Sequence, residues 1–126
     1  MKTIINTSNA PAPIGPYSQA VIANGFLFAS GQVAINPENG ALNQTSIAEE
    51  THQVMRNIKA VLLEAEYDFE HVIKTTIFLS DMSLFAEVNE VYGSYFQAEY
   101  PARETVAVKG LPKGVNVEIS VTAYKA

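Results

Sequence analysis

The chain has 126 residues, with 8 Lys or Arg against 13 Asp or Glu, and a formal charge of −5. That length suits one domain, residues 1–126, and is cramped for two independent cores. An acidic surface lacks the basic footprint that phosphate backbones require, and a chain without cysteine holds no disulfide, thiolate metal site or cysteine nucleophile.

Lys2 precedes only Ile4 and Ile5 before polar residues, which is no signal-peptide pattern, so the sequons at Asn6 and Asn43 read as chance matches and the expected location is cytoplasmic. Pro11, Pro13 and Pro16 with Gly15 make residues 9–16 an irregular lead-in. The apolar runs Gln19 to Ala23 and Phe26 to Ala29 flank Asn24-Gly25, a strong hairpin signal because both turn positions need φ > 0. Even joined, these runs fall far short of the roughly 20 residues that span a bilayer. A second turn is expected at Asn36–Gly40.

Ser46-Ile47-Ala48-Glu49 reads as a capping box opening a helix. Ile47, Thr51, Val54, Ile58, Val61, Leu62 and Ala65 continue it as one apolar stripe. The β-branched run from Val72 to Leu79 reads as a strand. Asp81 or Ser83 caps a second helix with a stripe of Leu84, Val88, Val91, Tyr92, Tyr95 and Phe96, barred from continuing by Pro101. Val106 and Val108, then Val115, Val117, Ile119 and Val121, alternate with polar or small residues as two half-buried strands. Strands, helix, strand, helix, strands is the order of an α+β domain, with two helices packed on one face of a mixed sheet.

If the last two strands form a hairpin, apolar faces match when Val106 lies opposite Val117 and Val108 opposite Val115. The other face then carries Arg103, Thr105, Asn116, Glu118 and Ser120, with Arg103 diagonal to Glu118 at roughly 7–8 Å. Two readings of this pair remain: an exposed cross-strand ion pair, or the lining of a cleft covered by a second subunit. The low charged fraction, 17% against roughly 25% in an average domain, also has two readings. Either other subunits cover surface, or Ser, Thr, Asn and Gln supply the polarity.

Other candidates carry less. His52 and His71 lack metal-ligand spacing and read as exposed polar residues; Glu49-Glu50 reads as a dipole-favoured first turn. Asn89 reads as surface. No Walker loop, dinucleotide fingerprint, nucleophile elbow or His-Glu-x-x-His is present.

The blocks Ile14-Gly15-Pro16-Tyr17-Ser18-Gln19-Ala20, Ala29-Ser30-Gly31-Gln32-Val33, Pro101-Ala102-Arg103 and Leu111-Pro112-Lys113 with Val117-Glu118-Ile119 resemble the RidA family, also called YjgF/YER057c/UK114. The resemblance runs from residue 2 to residue 125. It implies a chorismate mutase-like α+β fold, assembled as a homotrimer with clefts between subunits. The implied activity is hydrolysis of reactive 2-enamine and 2-imino acids, such as 2-aminoacrylate and 2-iminobutyrate, to 2-keto acids and ammonia, without cofactor or metal. Arg103 matches the anchor for the substrate carboxylate, and Glu118 the residue that positions the attacking water. Tyr17, Ser30, Gly31 and Asn89 match cleft-lining positions. Many members carry a cysteine where this chain has Thr105, so a thiol has no part here and water is the nucleophile. Alternative readings are a small-carboxylate-binding regulatory protein of amino-acid metabolism and an endoribonuclease, the latter opposed by the acidic charge.

Overall fold

A computed structural model describes all residues, 1–126. In chain order the elements are β1 (Thr3–Ile5), β2 (Ala20–Ala23), β3 (Phe26–Ala29), α1 (Ile47–Glu64), β4 (Val72–Leu79), α2 (Phe85–Gly93), β5 (Ala102–Ala107) and β6 (Val117–Tyr124). The strands form one six-stranded sheet in the order β1-β2-β3-β6-β4-β5. Both helices pack on one face of it, as the element order implied.

The local signals behave as read, except that the cap of α1 is one-sided: the Glu49 carboxylate returns no hydrogen bond to the Ser46 amide, so the expected capping box is half formed. Asn24 and Gly25 adopt φ of 54° and 84°, and β2 turns into β3 with Ala23 opposite Phe26. A side chain at Gly25 would also collide with the Lys125 carbonyl. Ser46 caps α1 by accepting a hydrogen bond from the Glu49 amide at 3.0 Å. The α1 stripe, with Val54, Ile58, Val61 and Leu62 wholly buried, meets Leu27, Ile77, Leu79, Val117 and Ile119 of the sheet. Each such side chain contributes about 1.5–3 kcal/mol relative to exposure. No helix is long and apolar enough to cross a membrane.

The second helix differs from expectation. Asp81 caps only a 3₁₀ turn, Met82–Leu84, and α2 proper ends at Gly93, well before Pro101. Glycine is a poor helix residue, and the Ser94 hydroxyl donates back to the Val91 carbonyl at 2.6 Å, competing with a further turn. Tyr95 and Phe96 still pack on the core from beyond the helix end.

The larger correction concerns the last two strands, which do not pair. β6 inserts between β3 and β4, antiparallel to both, while β5 lies at the sheet edge, parallel to β4. A parallel pair needs a crossover, and α2 supplies it between β4 and β5. The segment from Lys109 to Asn116 is therefore a crossing over the end of β4, not a hairpin loop. Val108 donates to Leu79 on one side of it, and Ser80 to Asn116 on the other. Apolar alternation specifies the faces of β6 but not its neighbours. β6, with every second residue buried, gains more between two strands than beside the mostly exposed β5.

Candidate functional site

The register decides where the charged candidates go. Arg103 pairs with Thr75 and Thr105 with Ile77, so both point to the helix-covered face. Glu118 pairs with Phe78 on the open face. Arg103 and Glu118 thus lie on opposite sides of the sheet with β4 between their strands, and the expected shared face does not exist within one chain. Neither forms a salt bridge; the ion pair of the chain is Lys74–Glu104 at 2.7 Å, both exposed.

Glu118 sits beneath an irregularity in β3. From Phe28 to Gln32 the chain takes four residues, while β6 takes three from Thr122 to Ile119, between the Phe28–Thr122 and Gln32–Ile119 pairs. The extra residue makes a bulge at Ser30-Gly31, a device that re-aims a strand beside a site. Gln32 re-joins β6 by exchanging two backbone hydrogen bonds with Ile119, at 2.8 and 3.1 Å. The Ser30 hydroxyl donates to the Ser18 carbonyl at 2.6 Å, and the Ser30 amide to the Gln19 carbonyl. Gly31 then lies so close to Glu118 that a Cβ there would fall on the carboxylate. Glu118 and Gly31 open into a cavity of about 680 Å³, walled in part by Ile14, Tyr17, Val33 and Ile35. The carboxylate has no hydrogen-bond partner in the chain, and partial burial pushes its pKa up.

Arg103 has a different setting. Its guanidinium donates to Asn89 Oδ1 at 2.5 Å and lies 5.4 Å from the Phe85 ring centroid and 5.2 Å from that of Tyr92. Such aromatic faces hold a planar cation while leaving its fork of donors available. The Tyr92 hydroxyl is tied to Thr75 Oγ1 at 2.7 Å, and burial raises the Tyr92 pKa. Asn89, Tyr92, Gly93, Tyr100, Pro101 and Arg103 line a second cavity of about 420 Å³. Two residues along β5, the Thr105 hydroxyl is buried with no partner.

The candidates therefore fall into two groups: Tyr17, Ser30, Gly31 and Glu118 at one cavity, Asn89, Arg103 and the adjacent Thr105 near the other. Asn89, a surface residue by pattern alone, is the direct partner of Arg103. The histidines are not free surface groups. His52 Nδ1 meets the Tyr95 hydroxyl at 2.7 Å, and His71 Nδ1 accepts from the Asp68 amide at 2.9 Å in a reciprocal cap.

Sequence reasoning also missed Glu50. It is fully buried and accepts hydrogen bonds from the Asn116 amide, the Asn116 side chain and the Val117 amide, at 2.8, 2.9 and 3.2 Å. It thereby fixes the segment that ends in Glu118. The signal was present: Glu50 falls three residues after Ile47 and four before Val54, on the core-facing stripe of α1. No group of three His, Asp or Glu side chains converges as a metal site would need.

Residues 7–125 match the family described as Endoribonuclease L-PSP. The chain belongs to this family, the RidA or YjgF family. It is 51% identical over 125 residues to a RutC family protein of Pyrococcus horikoshii, covering 99% of both chains. It is 44% identical over 125 residues to a Mus musculus protein named 2-iminobutanoate/2-iminopropanoate deaminase, covering 99% of this chain and 93% of that one. The crystal structure of E. coli TdcF with bound serine superimposes at a TM-score of 0.94, with 37% identity over 98% of this chain and 99% of that one. The RidA family thus includes named imine deaminases, and a family member holds a small amino acid.

Proposed function

We propose that the chain hydrolyses 2-imino acids, and the enamines that tautomerise to them, to 2-keto acids and ammonia, in clefts formed between copies of itself in a cytoplasmic homotrimer. The observation that carries this reading is the separation of Arg103 from Glu118. Each is unpaired with an opposite charge, each borders a cavity, and the sheet prevents them from serving one ligand within a chain. A second copy that sets its Arg103 cavity against the Glu118 cavity completes the pair.

In such a cleft, Arg103 of one copy grips the substrate carboxylate through its two-pronged donor set, held flat by Phe85, Tyr92 and Asn89. Glu118 of the other copy takes a proton from water as the water oxygen bonds to the carbon of the protonated imine and the C=N π pair moves to nitrogen, leaving a neutral carbinolamine. Glu118 returns that proton to the nitrogen; the C–N bond then breaks with its electron pair leaving on ammonia, the C–O bond becomes a carbonyl, and the hydroxyl proton passes to the Glu118 carboxylate and on to solvent. A raised pKa makes the Glu118 carboxylate a stronger base than an ordinary glutamate, which suits a group that takes a proton from water. The relatives named 2-iminobutanoate/2-iminopropanoate deaminase support the substrate class.

A threonine dehydratase generating the imine, with keto-acid release followed over time, tests the reading. The wild type is expected to hasten release, and Arg103→Ala to lose that effect by at least about tenfold, the cost of one charge-assisted contact. Equal acceleration by both proteins would refute the assignment of Arg103. The serine held by TdcF favours a second reading, a small-carboxylate sensor, in which ligand binds but the imine decays at its uncatalysed rate.

A further inference from the structure

Lys113 is a charged residue of the Glu118 cavity that the proposed reaction leaves unused. It occupies the middle of the 3₁₀ turn Pro112–Gly114, with φ 58° and ψ 16°, in the left-handed region. Gly114 follows at φ 67°. Glycine enters that region freely, whereas a lysine Cβ is crowded there. The turn is fixed on both sides, by the Gly114 amide donating to the Leu111 carbonyl at 3.1 Å and the Val115 amide to the Pro112 carbonyl at 3.2 Å. The amine has no carboxylate within 4.0 Å, so this exposed lysine borders the cavity with no ion-pair partner from its own chain. The cavity measures about 680 Å³, within the roughly 300–1,000 Å³ that hold ligands much larger than a four-carbon acid.

We infer that Lys113 binds a second anionic group at the far end of the ligand, so that the site accepts dicarboxylic 2-imino and 2-keto acids as well as monocarboxylic ones. This rests on the reading above only in giving the first carboxylate to Arg103 and the reacting carbon to Glu118. Lys113 is then the charged group left for the distal end. The lining of the same cavity also includes the apolar side chains of Ile14, Val33, Ile35 and Pro37, which suit contact with a methylene spacer.

Calorimetry with 2-oxoglutarate and 2-oxobutanoate, stable keto acids with and without a second carboxylate, measures this directly. Three proteins are compared: wild type, Lys113→Asn and Lys113→Arg. Asparagine tolerates the left-handed backbone and removes the charge, while arginine keeps the charge. The ratio of 2-oxoglutarate to 2-oxobutanoate affinity is expected to fall about tenfold in Lys113→Asn, the value of one charge-assisted hydrogen bond, and to hold in Lys113→Arg. A ratio unchanged in Lys113→Asn overturns the inference, as does wild-type discrimination against 2-oxoglutarate. Because binding is read without turnover, failure of the deamination assay leaves this result standing, and the reverse also holds.

Discussion

Gly31 has no room for a methyl group. Its φ is not in the positive region, so alanine is acceptable to the backbone, and the obstacle is the Glu118 carboxylate itself. Gly31→Ala is expected to keep the fold and push Glu118 aside. A displacement near 1 Å at a reacting group costs on the order of 100-fold in kcat/KM. Wild-type kinetics in that variant would separate Glu118 from the chemistry. The carboxyl itself has a pH signature. Burial raises its pKa above the ordinary 4.5, so the folded chain holds this proton to higher pH than the unfolded chain does. Stability is therefore lost as pH rises from about 4.5 through the raised value, and the loss is constant above it. Glu118→Gln removes that loss. Thermal melts are expected to place the variant above wild type at pH 8 and level with it at pH 4; the opposite order at pH 8 contradicts the burial argument.

At the scale of elements, α1 does more than fill the core. Its Glu50 holds three donors at the start of β6, two residues from Glu118. Glu50→Ala leaves the buried Val117 amide and the part-buried Asn116 donors unpaired, at a cost of about 3 kcal/mol. Urea unfolding should show the midpoint falling with an unchanged slope; a midpoint within error of wild type would mean that water replaces the carboxylate. The sequence was a good guide to where elements start and which face they bury, because Asn24-Gly25, Ser46 and the α1 stripe act through neighbouring residues. It was a poor guide to which strands meet. The alternation of Val117, Ile119 and Val121 fits a hairpin with β5 as well as a central place between β3 and β4. That choice depends on β4, forty residues away, and on how much of β6 it can cover. The placement of Arg103 and Glu118 on one face followed from the hairpin and fell with it. The motif blocks still marked both residues, because a family pattern carries information about partners that periodicity lacks.

For the whole molecule, the open face of the sheet is the feature that most needs a partner. Phe26, Phe28, Ile73, Val106 and Tyr124 stand exposed among the strands, with relative exposures between 37% and 50%. Large apolar patches of this kind mark interaction surfaces. A trimer burying them predicts a solution mass three times the chain's 13.7 kDa. The account's central claim is narrower: a working cleft takes Arg103 from one chain and Glu118 from another. Mixing tests it most directly. Chains bearing Arg103→Ala and chains bearing Glu118→Gln, each inactive alone, are denatured together in equal amounts and refolded. With sites shared between neighbours in a closed ring, about one cleft in four regains both residues. The predicted result is imine hydrolysis at roughly that fraction of the wild-type rate. A mixture as inactive as its two components would contradict the account.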